Sequence, residues 1–197
     1  MEANVSEPDF SYSGQYSYAD YLRWTIEERL ELIKGKIFQL AAPNRLHQDL
    51  CGRVYYEIAT FLKRNKPCSV YIAPFDVRLP RKSNDDKDII TVLQPDVCVI
   101  CDPAMLDDRG CIGAPDIVVE ILSPGNNKKE LRNKYAVYEE SGVREYWIVS
   151  PLEQTFMAYH LDDAGQFIPT RLMTSGDIYT TGILPGFQLD LEKVFED

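Results

Sequence analysis

At 197 residues, with 45% hydrophobic and 26% charged side chains, the chain has the composition of one globular domain that can bury a real core. A formal charge of −10 argues against loose, sequence-independent adhesion to nucleic acid, which is driven by neutralising phosphates. The longest apolar runs, such as Val97 to Cys101, fall far short of the roughly 20 residues that span a bilayer, and no basic segment leads into an apolar one near the N-terminus, so the expectation is a cytoplasmic protein with no membrane span and no secretory signal.

Residues 1–16, rich in Ser, Tyr, Gly and acid, read as a flexible arm, and residues 17–197 as a single domain without internal repeat. Ser17 opens a short helix, Tyr18 to Trp24, and Thr25 is a plausible cap for a further turn. Leu30 to Leu40 suggests two short strands joined by a tight turn at Lys34-Gly35. From His47 to Arg64 the apolar residues Leu50, Val54, Ile58, Phe61 and Leu62 recur at helical spacing, with Pro67 closing the helix. Three strand-like segments follow, Ser69 to Leu79, Thr91 to Cys101 and Ala114 to Leu122. A helix from about Lys128 to Glu140 carries Leu131, Tyr135 and Tyr138 on one face and stops at Gly142; the strand Glu145 to Val149 comes next. Thr155 to Tyr159, Phe167 to Met173 and Ile183 to Phe195 alternate like an antiparallel appendage. The fold class expected is α/β, in the order helix, three antiparallel strands, helix, strand, with a C-terminal β appendage.

The cysteines at 51, 68, 98, 101 and 111 form no paired framework and are read as reduced core residues. Cys98 and Cys101 have the spacing of a zinc half-site, but residues three apart on a strand point to opposite faces, and no second pair or histidine completes a tetrahedron. Positive charge is concentrated locally, in Lys128, Lys129, Arg132 and Lys134 on one helix and in Arg53, Lys63, Arg64 and Lys66 on and just beyond another.

Ile117 to Leu122 is nearly all aliphatic, as suits a central strand covered on both faces, yet Glu120 lies within it. A buried carboxylate without a partner is costly, so a cation, a metal or a hydrogen-bond network must meet it. Asp96 opens the apolar strand Val97 to Cys101 and raises the same question. Antiparallel pairing of the two strands brings Asp96 and Glu120 to one edge of the sheet. Such a pair, with a backbone carbonyl for which Ile121 is the candidate, would hold Mg²⁺ or Mn²⁺, and the chemistry implied is metal-assisted phosphodiester hydrolysis. The structural alternative is that Asp96 caps a turn after Pro95 and Glu120 pairs with a lysine.

Gln94-Pro95-Asp96, Asp116-Ile-Val-Val-Glu120-Ile-Leu-Ser123-Pro124, a lysine-bearing helix and Tyr146-Trp147-Ile148-Val149 together resemble the PD-(D/E)XK nuclease superfamily, specifically its Uma family of restriction-endonuclease-like proteins. The likeness takes in Glu31-Leu-Ile-Lys-Gly35 and His47, and runs from about Tyr18 to Phe195. It implies a restriction-endonuclease-like core and a Mg²⁺-dependent nuclease, with DNA the expected substrate and RNA an alternative. The superfamily's lysine stands two residues after the second acid, where this chain has Leu122; the following helix would supply it instead. Lys134, roughly 65 to 70° from the centre of the apolar face, is the candidate and Lys128 the runner-up, with the task of positioning water or stabilising charge on the phosphate. The resemblance makes Glu31 a third acid. His47, at a helix start that disfavours a protonated ring, would orient water as a neutral ring or serve as a cap. Asp76 ranks below Glu31 as a supporting acid, Ser123 would shape the turn after Glu120, and Asn126 or Asn127 would cap the helix.

The competing function is a catalytically idle nuclease fold acting as a nucleic-acid-binding or assembly module, favoured by the acidic charge and the displaced lysine. Acid/base chemistry on a glycan is a third option without a supporting sugar-groove signature. A homodimer is the expected assembly, since it suits cutting of two strands.

Overall fold

Prolines decide where the strand-like segments break. The computed structural model describes residues 14–25, 28–65, 68–123 and 128–196, the side chains of 65 and 128–130 excepted. The chain runs through α1 (Tyr18–Tyr21), the hairpin β1 (Leu30–Ile33) and β2 (Lys36–Gln39), and the long α2 (Arg45–Asn65). The segment expected as one strand from Ser69 to Leu79 divides at a cis Ala73–Pro74 peptide into β3 (Ser69–Ile72) and β4 (Val77–Arg78). That from Thr91 to Cys101 divides around Pro95 into β5 (Val92–Leu93) and β6 (Val97–Ile100). Proline has no N–H to continue a ladder, and the halves join different sheets.

The hairpin β7 (Leu106–Asp107) and β8 (Gly110–Ile112) leads to β9 (Ile117–Ile121), α3 (Lys128–Ser141), β10 (Glu145–Ser150) and β11 (Thr155–Leu161). The C-terminal part forms β12 (Phe167–Pro169), β13 (Met173–Thr174), β14 (Ile178–Thr180) and β15 (Gln188–Asp190), then turns helical as α4 (Leu191–Phe195), where alternation suggested further strand. Asp190 caps that helix, its carboxylate accepting from Glu192 N at 3.1 Å.

The central sheet has the order β12-β11-β10-β9-β6-β3, with β13 also on β11, and the second sheet β2-β1-β5-β4-β8-β7. β3, β6 and β9 pair antiparallel, whereas β9 and β10 are parallel and joined through α3, as a parallel pair requires. Alternation along β6 and β9 sends Val97, Val99, Ile117 and Val119 into a core with Leu50, Val54 and Ile58 of α2. Cys98, Ile100 and Val118 point the other way, into a core with Val137 and Tyr138 of α3. Each such aliphatic side chain stabilises by about 1.5–3 kcal/mol on full burial, so β9 is held from both faces.

Local signals explain the helix ends. Asn44 Oδ1 accepts from His47 N at 2.9 Å and caps α2 two residues earlier than the apolar pattern implies. Ser17 and Asp20 form a reciprocal cap on α1, which stops at Tyr21 rather than reaching Trp24. Gly142, at φ +85°, ends α3. Residues 1–13 of the N-terminal arm, the closing Pro67 and the candidate caps Asn126 and Asn127 lie outside the described residues.

One reading of the cysteines is corrected. The register Ser69↔Ile100 sets Cys68 opposite Cys101, and the two form a disulfide, while Cys51, Cys98 and Cys111 are buried and free. A separation of 33 residues reveals this pairing only once the strands are aligned. Cys98 and Cys101 do lie on opposite faces of the sheet. Among the described residues no helix is long and apolar enough to cross a membrane.

Candidate functional site

The pairing Val97↔Val119 fixes what lies one step beyond it, Asp96 and Glu120, at the same end of two adjacent strands. Asp96 is anchored by its own backbone: its carbonyl accepts from Ala73 N at 3.1 Å and from the Cys51 thiol at 3.5 Å. Its Oδ2 accepts from Ile121 N at 2.7 Å and lies 3.2 Å from His47 Nε2, on the first turn of α2. Thus one carboxylate straps β6, β9 and α2 together at the sheet edge.

Glu120 points to the other face, toward α3. Lys134 Nζ lies 3.0 and 3.1 Å from its two oxygens, and Tyr138 OH donates to Oε1 at 2.7 Å. Lys134 and Tyr138 stand four apart, hence side by side on the helix. From the second sheet, Glu31 Oε1 lies 3.1 Å from the same ammonium and accepts from Gln94 N at 2.9 Å. The three charged groups are almost fully removed from water, at 0% exposure for Glu31, 5% for Lys134 and 7% for Glu120. Charges so buried persist only when paired, because desolvation costs several kcal/mol per ion. Glu31 Oε2 and His47 Nδ1 are buried without a hydrogen-bond partner among the described residues.

Two carboxylates share one ammonium, which leaves an excess of negative charge. Burial pushes the Glu120 acid up, and although Lys134 pulls it down, Asp96 and Glu31 push it further, to about 7. Burial pulls the Lys134 ammonium down, but Glu120 and Glu31 outweigh it, and the group is held well above the ordinary lysine range. Lys134 is therefore charged at neutral pH, and Glu120 is the group poised to change. Burial and the adjacent Glu120 charge also hold the Tyr138 phenol firmly protonated, so it serves as a donor.

These groups border a cleft of about 350 Å³ lined by Asp96, Glu120, Ile121, Lys134, His47 and Arg29, among others. Glu31 stands just behind it, reached through Lys134. Asp76 does not line the cleft; it accepts from Gln94 Nε2 at 2.9 Å and from Tyr18 OH at 3.2 Å, one residue removed from Glu31. Ser123 lies on the cleft wall. The side chain of Lys128 is outside the described residues.

Three side chains have roles that were not assigned from the sequence: Tyr138, Arg29 and Gln94. Tyr138 was assigned to the apolar face, although its spacing from Lys134 placed it beside the lysine. Arg29 stands two residues before Glu31, the spacing that puts side chains on one side of an extended segment. Gln94 links them: its Oε1 accepts from Arg29 Nε and Nη2 at 3.0 and 2.9 Å.

The donor set matches a hard divalent cation in kind. Asp96 and Glu120 offer carboxylate oxygens at one cleft, and Mg²⁺ usually takes one or two carboxylates from protein and the rest from water and phosphate. Among the described residues no group of three His, Cys, Asp or Glu side chains is arranged to hold a metal by itself.

Comparison with known proteins gives three findings. The family model Uma2, described as "Putative restriction endonuclease", matches residues 18–192. An uncharacterized protein of Synechocystis sp. is 23% identical over 175 residues, covering 87% of this chain and 88% of its own length. The crystal structure of a "putative nuclease belonging to DUF820" from Anabaena variabilis superposes with a TM-score of 0.71 at 18% identity, over 91% of this chain and 97% of that one, which shows a common fold.

Proposed function

This chain belongs to the Uma2 family of restriction-endonuclease-like proteins, and on that premise we propose that it is a metal-dependent nuclease that hydrolyses phosphodiester bonds, DNA foremost, with Asp96 and Glu120 as its metal-holding acids. One observation carries the reading: a buried lysine, Lys134, is held between Glu31 and Glu120 in the same cleft as Asp96. A fold does not need such an arrangement for stability, since buried ion pairs are often no better than apolar replacements. Phosphodiester hydrolysis gains from it, because a fixed cation stabilises the negative charge that gathers on the phosphate as it reacts.

Mg²⁺ or Mn²⁺ bound by Asp96, Glu120 and the Ile121 carbonyl would supply Lewis-acid stabilisation of the phosphate and a more acidic water. The remaining work falls to the chain. Lys134 offers its ammonium to the phosphate or to the attacking water, and Glu31 holds it in place from behind. Tyr138 fixes the Glu120 carboxylate by its 2.7 Å bond, and His47, beside Asp96 Oδ2, orients that acid. Preorganised groups of this kind lower the barrier without reorganising at the moment of reaction.

The test is cleavage of plasmid DNA and of RNA in Mg²⁺ or Mn²⁺, by wild type, Asp96→Asn and Lys134→Met. Metal-dependent cleavage lost in both variants supports the reading; cleavage retained in either removes that residue from the site. A second reading, an idle fold used for binding or assembly, is favoured by one observation: both Glu120 oxygens are already engaged by Lys134. It predicts no cleavage and unaltered partner affinity in the same variants.

A further inference from the structure

We propose that Arg29 is the phosphate anchor of the cleft, the group that holds a nucleic-acid strand by its backbone before the acids and Lys134 act on it; this rests on the nuclease reading above. The cleft is lined by three basic side chains, Arg29, His47 and Lys134, among the described residues. Two of them are committed. Lys134 is taken by Glu31 and Glu120, and His47 stands against Asp96. Arg29 differs: its guanidinium donates through Nε and Nη2 to the neutral Gln94 Oε1 and makes no ion pair among the described residues. Among the described residues, then, it is the basic side chain of the cleft that has no carboxylate partner.

Its direction is also set in advance. Gln94 Nε2 donates to Asp76 Oδ1 at 2.9 Å, which fixes the amide so that its oxygen faces Arg29. The Gln94 backbone N–H meanwhile donates to Glu31 Oε1, the acid that holds Lys134. Through one glutamine, the arginine is registered to the catalytic centre. A guanidinium held by one edge keeps its remaining N–H groups for a second partner, and its planar fork matches two phosphate oxygens. In a chain of net charge −10, a fixed local cation also answers how an anionic strand is held near three carboxylates.

The experiment is fluorescence anisotropy of a fluorescein-labelled DNA oligonucleotide titrated with wild type, Arg29→Gln and Arg29→Lys, in Ca²⁺, over a series of salt concentrations. Expected for Arg29→Gln is a Kd raised on the order of tenfold, as for loss of one charge-assisted contact, and a log Kd against log salt slope smaller by about 1. Arg29→Lys, which keeps the charge and loses the fork, should keep the wild-type slope with a weaker Kd. A merely structural role for Arg29 would change affinity without changing the slope. Wild-type affinity and slope in Arg29→Gln overturn the anchor while leaving the nuclease reading standing. No binding of DNA or the matching RNA by wild type takes down both. Should Arg29→Gln melt early, Arg29→Met, which keeps the apolar stem and removes the charge, is read instead: a slope smaller by about 1 with weakened affinity supports the anchor, and a wild-type slope overturns it.

Discussion

Lys134 Nζ lies 3.0 and 3.1 Å from the two oxygens of Glu120, bridging the helix α3 to the central strand β9 at a point almost sealed from water. An ion pair in that position is worth little as a net contributor and much as something to break, because either partner alone is a buried, uncompensated charge. The consequences run through stability, pH dependence and activity.

Lys134→Met removes the cation and leaves Glu120 and Glu31 facing each other. The expected cost is about 3–5 kcal/mol at neutral pH, read as a lowered urea midpoint. Adding Glu120→Gln should recover part of it, since the second change removes one of the stranded charges. A Lys134→Met variant as stable as wild type would contradict the buried pairing.

Stability should fall as pH rises through the range set by Glu120. Its acid titrates near 7 when folded against an ordinary 4.5, so between those values the folded chain keeps a proton that the unfolded chain has released. The folded state therefore loses ground as pH climbs, by on the order of 1–3 kcal/mol in all. Glu120→Gln should flatten that part of the stability curve. On the proposed function, cation binding would have the opposite pH dependence, because it would require the ionised acid, and Mg²⁺-dependent cleavage is expected to climb toward pH 7. Identical pH profiles for wild type and Glu120→Gln would refute the assignment.

Tyr138→Phe deletes the 2.7 Å bond to Glu120 and leaves the ring's packing in place. A loss of about 1–2 kcal/mol is expected. Because that hydrogen bond pulls the Glu120 acid down, the variant's activity onset should move to higher pH. An unmoved onset would reduce Tyr138 to packing alone.

Serine in place of Cys101 opens the Cys68–Cys101 crosslink, whose ends are 33 residues apart. Chain entropy in the unfolded state sets the expected loss at about 3–4 kcal/mol. Alkylation of the denatured, unreduced protein followed by mass measurement should label Cys51, Cys98 and Cys111 and spare the other two. Labelling of all five would show the crosslink absent.

Much of this arrangement was legible in the residues. The misfit of Glu120 in an aliphatic run, and of Asp96 at the head of another, announced a cluster of polar partners, because burial of a charge demands one. Antiparallel pairing of the two strands then brought them together, and helical spacing put Lys134 at the margin of the packed face. What the sequence hid was decided by contacts distant along the chain. That Ser69 to Leu79 and Thr91 to Cys101 each serve two sheets follows from where Pro74 and Pro95 fall relative to strands they do not pair with. Arg29 and Gln94, 65 residues apart, meet only because β1 pairs with β5. The Cys68–Cys101 bond depends on register in the same way.

The account stands or falls on a divalent cation at Asp96 and Glu120, and thermal unfolding reads it most directly, since a ligand of the native state must raise the transition. Wild type, Asp96→Asn and Glu120→Gln would each be melted across a Mn²⁺ series at pH 7.5 or above, beyond the value of about 7 to which burial raises the Glu120 acid. The account predicts a transition that climbs with Mn²⁺ in wild type and stays flat in both variants. A flat wild-type response, or an equal rise in all three proteins, would contradict it.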